Sequence, residues 1–375
     1  MQPQYFDNSQ DDASGDRLSE GPRVLSVANQ KGGVGKTTTA VNLATALAAC
    51  KKRVLVIDMD PQGNASTGLG VAPDRRARSI YHVLMDGTPI KDVVIDTVVP
   101  GMSVVPSGVD LSGAELELVN SDRREYRLRD GLEALFGAYD YVLIDCPPAL
   151  GLLTLNAFVA SDAVLVPLQA EFYALEGLSH LLRTVERVKR GLNPKLEIQG
   201  IVLTMFDRRN NLCDMVAADV RKHLGDVVYD TMIPRNVRVS EAPSHGKPVL
   251  LYDMNCAGSQ SYIRLAGEIL RREKTQSANG SGLPHSSSIA GSRGTRFGEG
   301  VSARSVTSGG VASDTTGPAA MDRVTLQERV KAVPTQDVLR SEEQKPVAAA
   351  LASRSFAVAM PRLVRPEPGL PSQAR

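Results

Sequence analysis

From Arg23 to Thr39 the chain reads RVLSVANQKGGVGKTTT, an apolar run, a glycine-rich turn and a helix-forming stretch without a break. A strand feeding such a turn and then a helix builds a phosphate cradle. Backbone N–H groups converge on one concavity, and the positive end of the helix adds to the field there. Gly32, Gly33, Val34, Gly35, Lys36, Thr37 and Thr38 are therefore the candidate phosphate-binding residues. Lys36 is placed to reach β- and γ-phosphates and Thr37 to put its hydroxyl on Mg²⁺.

The run departs from the ordinary pattern G-x-x-x-x-G-K-[ST], which would require glycine where this chain has Gln30. It also adds Lys31 just before the glycine pair. A lysine there does not cradle phosphates from the same side, and its functional reading is a charge supplied across a dimer interface.

Apolar runs at Val24–Ala28, Arg53–Asp58, Met102–Pro106, Tyr141–Asp145, Ala163–Pro167, Ile198–Thr204 and Val227–Ile233 alternate with helical patterns. That alternation predicts an α/β fold of the P-loop NTPase type, with a mostly parallel sheet of about seven to eight strands and helices on both faces. Leu175, Leu178, Leu181, Leu182, Val185 and Val188 recur at helical spacing within 171–190, a core-facing stripe. A last helix is predicted around Ile263, Leu265, Ile269 and Leu270.

Two further blocks carry acids. Asp58-Met-Asp60 closes an apolar strand, and residues two apart on a strand share a face, so both carboxylates are expected toward the phosphate site. Val142-Leu-Ile-Asp145 ends a second strand in the form of a Walker B motif, whose acid would hold Mg²⁺ through water. Cys146 reads as a buried packing residue, with no histidine pattern beside it. No Asn-Lys-x-Asp follows, which favours adenine over guanine.

With Tyr173-Ala-Leu-Glu-Gly177 and the segment from Pro234 to Pro248, these blocks resemble the deviant Walker A ATPases, and within them the ParA/Soj family that partitions chromosomes and plasmids. The resemblance covers roughly 23–274. It implies a nucleotide sandwich in which Lys31 crosses to the partner's ATP and Gly32 leaves room for the approach. It gives Asp60 the orientation of the attacking water and Asp58 a place in the outer shell of Mg²⁺, with catalysis resting on Lys31, Lys36 and Asp60. It places Pro234 and Asn236 near the base, and Arg209 and Arg238 on a DNA face. The implied cofactors are ATP and Mg²⁺. The implied partners are a second copy of the chain, a ParB-like centromere-binding protein that stimulates weak hydrolysis, and double-stranded DNA bound without sequence preference.

Outside that region the character changes. Residues 1–22 carry Asp7, Asp11, Asp12, Asp16 and Glu20 against Arg17 alone and read as a disordered acidic leader. Residues 275–375, rich in Ser, Gly, Ala, Pro and Arg, read as a disordered tail, with marginal helices possible at Asp322–Val333 or Asp337–Lys345. A net charge of +1 excludes a uniformly basic nucleic-acid coat, so DNA contact must come from a local patch. The four cysteines form no C-x-x-C pair, which suits reduced thiols and argues against an iron–sulfur carrier. No apolar run approaches the ~20 residues needed to span a bilayer. A cytoplasmic, nucleoid-associated protein without stable membrane association is expected. A MinD-like reading would want a terminal amphipathic helix that Pro361-Arg-Leu-Val-Arg-Pro breaks. Cargo positioning on a non-DNA target remains an alternative at this stage.

Overall fold

The computed structural model describes residues 21–171 and 173–280, and expectations for residues 1–20 and 281–375 lie outside them. The strands are β1 (Arg23–Val27), β2 (Val54–Asp58), β3 (Ile95–Asp96), β4 (Met102–Val105), β5 (Tyr141–Asp145), β6 (Ala163–Gln169) and β7 (Glu197–Thr204). They form one sheet in the order β3-β4-β2-β5-β1-β6-β7. Every pairing is parallel except the short antiparallel contact of β3 with β4.

The helices are α1 (Lys36–Ala49), α2 (Asn64–Gly68), α3 (Ile80–Asp86), α4 (Leu111–Leu118), α5 (Arg127–Leu132), α6 (Leu152–Ala160), α7 (Ala174–Gly191), α8 (Asn211–Leu224), α9 (Val237–Glu241), α10 (Val249–Tyr252) and α11 (Ala257–Gly280). Strand residues alternate between two apolar layers. Leu55 and Ile57 of β2 join the layer that holds α6, α7 and α8, while Val54 and Val56 join the layer that holds α1 and α11. This burial on both faces is why the strands read as near-continuous apolar runs rather than alternating ones.

Three expectations change. Val227–Ile233 is no strand: it meets the sheet edge at the isolated bridge of Val228 with Ile201 and through the Tyr229 and Ile233 amides, which donate to the Ile201 and Leu203 carbonyls at 2.9 and 2.8 Å. Its middle amides are taken by a side chain, because Glu268 on α11 accepts from the N–H groups of Asp230 and Thr231 at 2.9 and 3.0 Å. A continuous ladder cannot form while those donors point elsewhere. The seventh strand is instead β3, whose two residues are too few for a periodic signal. Finally, α11 continues to Gly280, beyond the boundary expected at Lys274.

Topology places the chemistry. In an open parallel sheet the crevice lies beyond the carboxyl ends of the strands. The cradle follows β1, and Asp58 and Asp145 end β2 and β5, the strands that flank it on one side.

Candidate functional site

Gly33 and Gly35 take φ of 75° and 85°, a region that strains any residue with a Cβ. Positive φ in such a turn is what lets successive amides form an anion-binding concavity. Side chains outside the motif pin the loop. Thr204 of β7 donates its hydroxyl to the Val34 carbonyl at 2.8 Å. Asn29 donates to the Pro167 carbonyl at 2.7 Å and accepts the Lys31 amide at 3.0 Å. Lys36 is buried and its Nζ donates to the Lys31 carbonyl at 3.0 Å, so the ammonium is already held at the loop. Burial lowers its pKa, and the neighbouring charges of Asp145, Cys146 and Asp60 oppose that fall.

Asp58 and Asp145 face each other in register across β2 and β5, and both are fully buried. Asp58 is well satisfied: one oxygen accepts from the Ser66 amide and hydroxyl at 2.8 and 2.7 Å, and the other from the Asp60 amide at 3.3 Å. Ser66 in turn accepts from the Ser107 amide at 3.0 Å. Asp145 is different, because neither carboxylate oxygen has a well-formed hydrogen bond among the described residues. Burial pushes the Asp58 carboxyl up to about 6 against the pull of its hydrogen bonds. Burial, and then the charge of Asp58, hold Asp145 well above the usual carboxylate range, while the Thr37 hydroxyl and Lys36 favour its ionised form.

Two buried acceptor oxygens without a well-formed hydrogen bond, close to the Thr37 hydroxyl, fit a small hard cation. No group of three or more His, Cys, Asp or Glu side chains among the described residues could hold a metal alone. Mg²⁺ is usually bound by one or two carboxylates with waters and substrate phosphates completing its shell. Asp60 stands apart from the buried pair: it is half-buried, and its carboxylate accepts the Gln62 amide at 3.0 Å in a local turn. The two acids expected toward the phosphate site thus differ in exposure, Asp58 being an internal anchor and Asp60 a partly open group.

Lys31 is exposed, and within the chain it pairs with Glu171 between β6 and α7. Gly32, next to it, has nothing within 4 Å of where a Cβ would stand, so the approach to the loop from outside is open. Pro234 and Asn236 line a cavity of about 330 Å³ together with Gly35, Thr38 and Met205. Asn236 also caps α9, accepting the Val239 amide at 3.3 Å. The structure thus brings the cradle, both buried acids and the two base-site candidates to one end of the sheet.

The chromosome partitioning protein ParA of Caulobacter vibrioides (strain NA1000 / CB15N) is 64% identical over 258 residues, spanning 68% of this chain and 97% of that protein. The chain belongs to the ParA/Soj family. The sporulation initiation inhibitor protein Soj of Bacillus subtilis (strain 168) is 52% identical over 247 residues, 66% of this chain and 98% of that one. A family model described as an AAA domain matches residues 22–198. Among solved structures, a cobyrinic acid a,c-diamide synthase from Mycobacterium smegmatis with bound ADP and magnesium superposes with a TM-score of 0.60 at 37% identity, covering 68% of this chain and 96% of that one. The Pyrococcus furiosus cell division ATPase MinD gives 0.56 at 27% identity, covering 67% and 99%.

In this ParA/Soj chain the basic candidates are more dispersed than the nucleotide residues. Arg209 lines a groove of about 450 Å³ with Arg208, Arg235 and Arg264. It is fixed there by Asp207, whose carboxylate accepts from its Nε at 3.0 Å and Nη2 at 2.9 Å. Those bonds hold the Asp207 carboxyl down at about 2. Arg238 does not line that groove, and it pairs instead with Glu241 at 3.0 Å and Asp253 at 3.6 Å. Sequence reasoning missed Ser66, Asn29, Thr204 and Glu171. Ser66 left a trace, a hydroxyl shortly after an Asp-x-Asp run, and Asn29 stands within the loop's own run, whereas Thr204 and Glu171 reach the loop from distant segments.

Proposed function

We propose that this chain is an ATP-dependent DNA-partition ATPase. ATP closes a homodimer, the dimer binds double-stranded DNA without reading sequence, and a ParB-like partner stimulates hydrolysis and release. The observation that carries the nucleotide part is the unpartnered Asp145 carboxylate, buried in register with Asp58 where Thr37 and Lys36 converge.

In this reading the amides from Gly32 to Thr38 hold the β- and γ-phosphates, and Lys36 exchanges the Lys31 carbonyl for phosphate oxygens. Thr37 would hold Mg²⁺ directly and Asp145 through water, with Asp58 as a further outer carboxylate. When bound, the ion neutralises charge on the phosphate oxygens. Asp60, fixed by its own turn, orients the attacking water. Lys31 leaves Glu171 and extends across the dimer to the partner's nucleotide, where a cation compensates charge developing on the transferred group. Pro234 and Asn236 border the adenine, in the cavity that also meets Gly35 and Thr38.

The relatives named for chromosome partitioning support the cargo assignment. Among the described residues no helix is long and apolar enough to cross a membrane. The groove around Arg209 would contact phosphates, giving salt-sensitive binding. The test is ATP turnover by the full chain alone, with duplex DNA, and with DNA plus a ParB-like centromere-binding protein. Turnover that is slow alone and rises only with both additions supports the reading. Turnover unchanged by either, or retained by Lys36→Ala, contradicts it.

A further inference from the structure

Helix α7 presents a basic stripe that the nucleotide site does not use. His180, Arg183, Arg187 and Arg190 are exposed at intervals of three and four residues, so they share one face of the helix. With Gln30 they line a groove of about 540 Å³. The only acid among its lining residues is Glu186, which pairs with Arg190 at 3.3 Å. Arg183 and Arg187 form no ion pair among the described residues, and their bonds are long ones of 3.4 Å to the Ser179 carbonyl and the Thr184 hydroxyl. From Arg190 to His180 the stripe runs about 15 Å along the helix.

An acidic segment of this chain begins beside the same end of that helix. The Val24 amide donates to the Asp162 carboxylate at 2.8 Å, and Asn193, just past α7, donates to the Ser161 carbonyl at 2.7 Å. The start of β1 and the end of α7 are thus tied to adjacent residues. Residues 1–20 precede that point, and carry Asp7, Asp11, Asp12, Asp16 and Glu20 against Arg17 alone. Their acids recur every one to four positions, and twenty residues can span up to about 65 Å, several times the length of the stripe. Reach and sign both match.

We propose that the acidic segment 1–20 docks in cis on the Arg183–Arg187 face of α7, as the occupant of this groove. The surface is then reserved for an acidic peptide rather than left to solvent, and an external acidic ligand would have to displace the segment. The inference does not depend on the nucleotide reading, because it rests on a helix face and a segment outside that site.

Carbodiimide cross-linking of the full chain, a mixture of isotopically heavy and light protein read by mass spectrometry, tests it. The expected product joins a carboxylate of residues 7–20 to Lys189 or Lys195 within one chain. It should fall at least tenfold in Arg183→Glu/Arg187→Glu and fade as salt rises. Absence of the product, its survival in the double variant, or heavy–light pairs instead of same-chain pairs would overturn the proposal. A second arm uses the full chain with Asp7→Asn, Asp11→Asn, Asp12→Asn, Asp16→Asn and Glu20→Gln. A labelled peptide of residues 1–20 should bind this protein and bind at least tenfold more weakly once the two arginines are also reversed. Equal binding by both proteins, or binding by neither, counts against the groove. If the reversal weakens duplex DNA binding while the cross-link persists, the stripe is a nucleic-acid contact and the assignment fails.

Discussion

Asp58 and Asp145 sit opposite each other on neighbouring parallel strands, both fully buried, with hydrogen-bond donors on Asp58 and no well-formed hydrogen bond on Asp145. Burial, and for Asp145 also the charge of Asp58, opposes ionisation, so the ligand-free protein holds protons here that an unfolded chain would release. For Asp58 the displacement is from 3.8 to about 6. Each pKa unit is about 1.4 kcal/mol of preference between the two protonation states.

The sign of the pH dependence follows. Between pH 3.8 and about 6 the folded chain binds more protons than the unfolded one, so this pair's contribution to stability falls as pH rises through that window. At pH 7.5 the ligand-free Asp145→Asn protein should therefore melt higher than the natural chain, because the change removes a carboxylate whose ionisation burial and the Asp58 charge oppose. The gap should close toward pH 5. Scanning calorimetry at the two pH values checks it, and a lower melting point for Asp145→Asn at pH 7.5 would show that the pair is not strained.

Ser66 ties Asp58 to the loop after β4, accepting from Ser107 while donating to the carboxylate. Ser66→Ala leaves a buried charged acceptor short of one donor and a buried amide without its acceptor. The cost should be about 2–4 kcal/mol of stability. Urea unfolding with an unchanged slope reads it. A loss under about 0.5 kcal/mol would mean that water replaces the hydroxyl.

The Lys31 to Glu171 pair bears on dimerisation. Both groups keep solvent contact, so breaking the pair is worth no more than about 1 kcal/mol. Glu171→Gln should make Lys31 easier to extend and raise the ATP-dependent dimer constant by up to about fivefold per subunit, or about 25-fold when both lysines of the dimer cross. Lys31→Ala should keep ATP binding and lose the dimer. Analytical ultracentrifugation with ATP distinguishes them, and a Lys31→Ala protein that dimerises normally removes the lysine from the interface.

For DNA, Arg209→Ala should weaken binding to unrelated duplexes alike and flatten the log–log salt slope by about 0.9 per lost contact per subunit. Arg238→Ala should do the same if it shares the face. Asp207→Asn, which removes the acid holding Arg209, should leave binding as tight or tighter. Fluorescence anisotropy across a salt series reads all three. Unchanged slopes for both arginine variants would place DNA contact elsewhere.

The parts legible in the sequence are those whose signal is local. The cradle, the acids closing β2 and β5, and the stripe of α7 announce themselves in short windows because their spacing repeats the backbone geometry. Val227–Ile233 misled for the opposite reason: its apolar spacing suits a strand, but the ladder is interrupted by Glu268 from a helix about forty residues on. The family resemblance gives Asp58 and Asp60 different roles, but the packing that separates them is not legible in the sequence. Strand alternation puts both on one face, and the satisfaction of Asp58 by Ser66, with Asp60 left partly open, appears only once the chain is folded.

The central claim is that ATP binding closes the dimer and that Asp60 acts only afterwards, on water. Sizing chromatography with light scattering on Asp60→Ala at saturating ATP and Mg²⁺ tests it most directly. The account predicts a stable dimer with turnover reduced at least a hundredfold. A monomer under those conditions, or a dimer that still hydrolyses ATP at the natural rate, would contradict it.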